Sequence, residues 1–186
     1  MIGKCAYMVS DWLLSREVIQ KEDQELYEYA VYSLLITIAP LAMSIIFGII
    51  MGVFWQSIVL MIPFMTIRKY SGGYHAKKAS VCFAISCLVL FCSISVSAYV
   101  EYNSSVAFIL ILVSVISLIV NSPIDSENRR LSEIEKRRYK RIVMVQTLVY
   151  LSIFLGLCVI NQPIYALCIS IGMILAAGLQ FPCFFR

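Results

Sequence analysis

The sequence predicts an all-α membrane protein of six transmembrane helices, preceded by an N-terminal amphipathic helix at the interface; a re-entrant hairpin is the alternative for the second span. Three observations lead there. Hydrophobic residues make up 61% of the chain and charged residues only 14%, against about 45–50% and about 25% in soluble domains. The charges are gathered in a few short blocks. Between the blocks run uncharged stretches long enough to cross a bilayer, which takes about 20 apolar residues at about 1.5 Å of rise each. A soluble fold of 186 residues has too little interior to hide that much apolar surface.

Taken in order, residues 1–28 form the polar lead-in. Within it Ile2, Cys5, Ala6, Val9, Trp12 and Leu13 recur at helical spacing while Lys4, Ser10 and Asp11 face elsewhere, the pattern of a helix lying in the interface. The opening MIGKCAYMVSDWLL lacks the compact apolar core and small-residue cleavage site of a signal peptide. From Tyr29 to Ile67 no residue is charged, which leaves room for two spans joined by a tight turn near Gly48 to Gly52. Ala79 to Val100 forms a third span, and Tyr102 to Ile124 holds a fourth. The uncharged stretch from Ile142 to Phe185 is broken by Asn161-Gln162-Pro163, a turn signal, and supplies the fifth and sixth. The chain reads as a single multi-pass domain over 1–186.

Orientation follows from the basic residues, which favour the cytoplasmic side. With the N-terminus inside, the interior segments are 1–28, 68–78, 125–141 and Arg186, and every Lys and Arg falls in one of them. The outer loops contain Glu101 alone among charged residues. The expected location is the cell membrane, with both termini cytoplasmic. A net charge of +4 arranged in this way serves topology and contact with anionic lipid, and nucleic acid is not an expected partner. Cys5, Cys82, Cys87, Cys92, Cys158, Cys168 and Cys183 include no CxxC pair and mostly lie in apolar runs. Free thiols are therefore expected, with no disulfide framework, metal site or cofactor.

Chemistry concentrates in Arg68-Lys69-Tyr70-Ser71-Gly72-Gly73-Tyr74-His75-Ala76-Lys77-Lys78-Ala79-Ser80-Val81-Cys82. His75 is the one histidine of the chain, and it stands seven residues before a cysteine in the opening turns of a span. A thiol becomes a nucleophile as its thiolate, which nearby cations, a His⁺ or a helix N-terminus favour. On a continuous helix the two residues would share a face but sit about 10 Å apart along the axis, beyond proton-transfer reach. A working pair therefore needs His75 in a loop that folds back, which the Gly72-Gly73 pair permits. On spacing alone, a Cys-His dyad and an interfacial histidine near a packing cysteine both remain open. Cys87 and Cys92 read as packing residues.

Arg68, Gly72-Gly73, His75 and Cys82 resemble the signature of the accessory gene regulator protein B family, membrane peptidases of quorum sensing in which Arg, His and Cys follow at intervals of seven. Asn121-Ser122-Pro123-Ile124-Asp125, leading into basic residues, is similar to the family's Pro-containing motif and Lys/Arg-rich loop. Ser126 and Glu127 in that loop depart from the pattern, which puts substrate preference in doubt. The resemblance implies a cysteine endopeptidase that cuts a short propeptide near its C-terminal end and helps cyclise it to a thiolactone or lactone. Cys82 would be the nucleophile and His75 the base and then the acid, with Arg68 orienting the pair or binding a substrate carboxylate. It also implies a homodimer.

The basic segment Arg129 to Arg141 is expected to anchor the cytoplasmic face on anionic lipid, and the resemblance implies a propeptide with an acidic C-terminal part, for which Arg137, Arg138, Lys140 and Arg141 are the candidate binders. The competing class is non-enzymatic: a small permease, or a peptide-export or sensor partner. Transporters place ionisable groups near mid-bilayer, whereas these spans carry essentially no charge.

Overall fold

A computed structural model describes residues 2–72, 79–101, 103–124 and 131–180. Among the described residues the secondary structure is wholly helical: α1 (Ile2–Ser15), a 3-10 turn (Lys21–Asp23), α2 (Gln24–Ile50), α3 (Phe54–Ser71), α4 (Ala79–Tyr99), α5 (Ser104–Asn121), α6 (Glu133–Val159) and α7 (Pro163–Gly178).

The breaks between helices have local causes. At the α2–α3 corner, Val53 N–H donates to the Gly48 carbonyl at 2.7 Å and Gly52 takes φ +71°, a left-handed conformation that glycine adopts without strain. Gly48 lets the Ser57 hydroxyl of α3 close on the α2 backbone, where any side chain would collide with it. The α6–α7 corner turns through Asn161 at φ +55°, after which Pro163 opens α7 at a position where its missing N–H costs nothing. Asn103 caps α5 by accepting from Ser105 and Val106 N–H at 3.0 and 3.2 Å.

Two helices, Ser104–Asn121 and Glu133–Val159, are long and apolar enough to cross a membrane, and Ile38–Ile50, Phe83–Tyr99 and Pro163–Gly178 are shorter apolar helices or helix segments. A core helix of a soluble protein would be mostly buried. Here only 28% and 17% of the most apolar stretches of α5 and α6 are, and Ile109, Ile116, Val120, Val145, Leu148 and Val149 face outward. Exposed apolar faces of this kind mark a surface for lipid or a partner, and the 61% hydrophobic composition points to lipid. The chain is a membrane protein.

Helix α7 is the hub. It packs most extensively on α3 and α5, with α6 and α4 completing the ring, and Ala166–Met173, Ala176 and Ala177 are buried. Close approach comes from small residues: a side chain on Gly172 would collide with the Leu60 carbonyl and the Pro63 ring of α3. Leu60, Ile67, Leu90, Ile111, Phe154 and Met173 fill the core around it.

On α1, Ala6 and Ser10 are the fully buried pair, while Cys5, Val9 and Trp12 of the apolar stripe stay exposed. The helix α1 packs on is α2. Small side chains one turn apart allow that close packing, and Ser10 satisfies its hydroxyl on the Tyr7 carbonyl at 2.9 Å. One expectation needs correction: the basic segment is not a loop throughout. Helix α6 starts at Glu133 under a reciprocal capping box, with Glu135 N–H donating to Ser132 Oγ at 3.3 Å and Ser132 N–H to Glu135 Oε2 at 2.9 Å. At 27 residues α6 is about 40 Å long, longer than the hydrocarbon core, so one end protrudes.

Candidate active site

The C-terminal end of α3 holds the first of the candidate residues. Arg68 belongs to the last turn of that helix rather than to a loop, half-buried, with its guanidinium 5.8 Å from the Phe64 ring centroid. Next to it Tyr70 meets Tyr139 of α6 edge-to-face at 5.6 Å, and Lys69 reaches over the Tyr70 ring at 5.4 Å. One helical turn earlier, Thr66 and Tyr150 share a hydrogen bond of 2.7 Å between their hydroxyls. These contacts fix the register of α3 against α6. They bring the first turns of α6, where Arg137, Arg138, Lys140 and Arg141 are all exposed, beside the end of α3.

Where α3 stops, the backbone is tied down. The carbonyl of Ser71 accepts Ile124 N–H at 2.9 Å and the Gln180 side-chain amide at 3.5 Å. The same amide donates to Ser122 Oγ at 2.8 Å. Gly72 then takes φ +75° and ψ −159°, a region open to glycine alone, and lies directly against the Ile124 carbonyl. The exits of α3, α5 and α7 thus meet at one place, and Gly72 is the last residue before the segment that carries Gly73 and His75.

Gly73 and His75 lie outside the described residues, as does the side chain of Cys82. The backbone of Cys82 is in the first turn of α4, which begins at Ala79. At that end of a helix the unpaired N–H groups and the macrodipole favour negative charge. The Asp125–Arg130 part of the basic segment also lies outside the described residues. Of the other cysteines on α4, Cys87 is half-buried and Cys92 exposed.

Ser71, Ser122 and Ile124 stand inside motifs read from the sequence but were given no role there, and Gln180 was not singled out. Gln180 offered one signal, an isolated amide in an otherwise uncharged and largely apolar run; such groups in lipid-facing folds bind neighbouring elements.

The family model for accessory gene regulator B matches residues 6–181. The chain belongs to the accessory gene regulator B family. It is 24% identical over 161 residues to a putative AgrB-like protein 2 of Clostridium perfringens, covering 82% of this chain and 75% of that one. It is 27% identical over 143 residues to accessory gene regulator protein B of Staphylococcus saprophyticus, covering 76% and 74%, respectively. A putative AgrB-like protein of Listeria monocytogenes is 26% identical over 151 residues, covering 79% and 74%. No solved structure matches. Membership in the accessory gene regulator B family supports a part in the processing of an accessory gene regulator autoinducer.

Proposed function

We propose that this chain is a membrane-embedded cysteine endopeptidase that cuts a short propeptide on its C-terminal side and promotes its cyclisation. The observation that carries the reading is the Arg68, His75, Cys82 series with Gly72-Gly73 inside a family match that runs nearly end to end.

The chemistry needs only this chain and the peptide. His75 takes the Cys82 thiol proton, and the thiolate attacks the scissile carbonyl carbon. The tetrahedral intermediate collapses as the C–N bond breaks, and the protonated imidazole hands its proton to the leaving amine. A thioester on Cys82 remains. An internal cysteine or serine of the peptide then attacks that carbonyl, closing a thiolactone or lactone and returning the thiol. A site at the membrane interface limits the water that would otherwise hydrolyse the thioester. Cys82 gains from its place in the first turn of α4. Arg68 orients the pair or holds a carboxylate, and Arg137, Arg138, Lys140 and Arg141 recruit the acidic part of the peptide and anionic lipid.

The six-span arrangement with cytoplasmic termini belongs to the same reading. The uncharged corners at Met51–Val53 and Ile160–Gln162 support it, as do the joined exits of α3, α5 and α7 beside the basic clusters. The unbroken α3 favours a full crossing over a re-entrant hairpin. A homodimer is part of the proposal on the strength of the resemblance.

The test is co-expression with a candidate propeptide, followed by mass spectrometry for a shortened, cyclic product. Cys82→Ala and His75→Ala should each abolish the product at unchanged membrane levels. Full product from either variant defeats the assignment and returns the field to a non-enzymatic partner.

A further inference from the structure

We infer that Gln180 is a positioning residue for peptide cleavage, acting through Ser71 and Gly72 on the segment that leaves α3; the inference rests on the peptidase reading above.

Gln180 follows the end of α7 by two residues, and its side chain is fully buried. A buried amide is costly in an apolar core unless its polar atoms are paired, and this one is paired only on one side. Its Nε2 donates to Ser122 Oγ at 2.8 Å and toward the Ser71 carbonyl at 3.5 Å, while its Oε1 is buried and accepts no hydrogen bond among the described residues. A leucine of similar volume would suit a purely structural role better. What the amide does, and a leucine cannot, is join three chain exits that are far apart in sequence. Ser71 ends α3, Ser122 follows α5, and Gln180 follows α7. The Ser71 carbonyl, already bonded to Ile124 N–H, is held from a second side.

The consequence lies one residue on. Gly72 departs from α3 at φ +75° against the Ile124 carbonyl, so the orientation of the Ser71–Gly72 peptide sets the direction in which the following residues leave. His75 is three residues further along that path, and Cys82 opens the helix to which it leads. An error of about 1 Å in a catalytic group is enough to cost about a hundredfold in rate. Ser122 shares the duty, as the acceptor that fixes the amide's rotation.

The experiment uses the full chain, purified into vesicles, and a synthetic propeptide that the unaltered chain cleaves. Gln180→Leu should leave the amount and thermal stability of folded protein unchanged or higher and KM within about twofold, while kcat falls by about ten- to a hundredfold. Gln180→Glu adds a readout that a packing role would not move. Its neutral acid can donate to the Ser71 carbonyl, which only accepts, and its carboxylate cannot. Its kcat relative to the unaltered protein should therefore be highest at low pH and decline as pH rises. Ser122→Ala should lower kcat about fivefold to tenfold, and combined with Gln180→Leu it should add nothing, since both break the same link. Unchanged kcat in Gln180→Leu, or in Ser122→Ala should Gln180→Leu fail to accumulate, overturns the inference. So does a kcat loss that merely tracks lost folded protein. If the unaltered chain shows no Cys82-dependent cleavage, both proposals fall; if it does and Gln180→Leu matches it, only this one does.

Discussion

Gly72 lies so close to Ile124 that a methyl group on its α-carbon would stand 2.5 Å from the Ile124 carbonyl oxygen. The adjoining Ser71 carbonyl receives the Ile124 N–H at 2.9 Å, so the two segments are clasped backbone to backbone. No side chain fits there, and the positive φ of Gly72 penalises one independently.

Gly72→Ala should therefore lose processing out of proportion to its stability. Forced φ and collision together cost about 1–3 kcal/mol, concentrated where the His75 segment leaves α3. Gly52→Ala is the control: it has φ +71° but nothing within 4 Å of the added carbon. Product per folded molecule, read by mass spectrometry, should collapse for the first and hold for the second.

The seam between α7 and α3 sets overall stability. Gly172→Val places bulk against the Leu60 carbonyl and Pro63, and overpacking of this kind costs about 1–3 kcal/mol. In a domain of this size that lowers the midpoint of unfolding by about 2–4 °C per kcal/mol. Gly156→Ala, on a part of α6 with open space around it, should be neutral or slightly stabilising by the same thermal measurement in detergent.

Thr66 and Tyr150 join α3 to α6 by one interhelical hydrogen bond of 2.7 Å. Tyr150→Phe removes it and should cost only about 0.6 kcal/mol, the average for such bonds in a membrane bundle. A larger loss, seen as a drop in the folded fraction at fixed denaturant, would mean that this contact also sets the register of Tyr70 on Tyr139.

Replacing Arg137, Arg138, Lys140 and Arg141 by glutamine should raise KM for an acidic peptide at low salt and flatten its rise with salt, since exposed charges act through a screened field. If insertion falls while processing per inserted molecule keeps its salt dependence, these residues anchor the helix and do not recruit substrate.

Much of the helical pattern was legible because lipid makes charge placement informative. The corners at Gly52 and at Asn161-Pro163 stand where breakers interrupt uncharged runs, and the helix ends beside them fall within a few residues of expectation. The start of α6 was concealed by its own charge: a basic run reads as solvated loop, although Ser132 and Glu135 already spelled the cap that begins a helix. On α1 the apolar stripe was legible, whereas the side that packs on α2 is marked by the small residues Ala6 and Ser10. Within the candidate site, Arg68, Gly72, His75 and Cys82 were visible as a spaced series. Gln180 was not, because its partners lie 58 and 109 residues away and a lone amide does not name them.

The central claim is a covalent one, and intact-mass measurement tests it most directly. The chain should be incubated with a synthetic propeptide whose internal cysteine is replaced by alanine, so that cyclisation is blocked. A thioester adduct of the peptide's N-terminal fragment should then accumulate on the chain, be discharged by hydroxylamine, and be absent from Cys82→Ala. Cleavage of the peptide with no adduct on Cys82, or an adduct that persists in Cys82→Ala, would contradict the account.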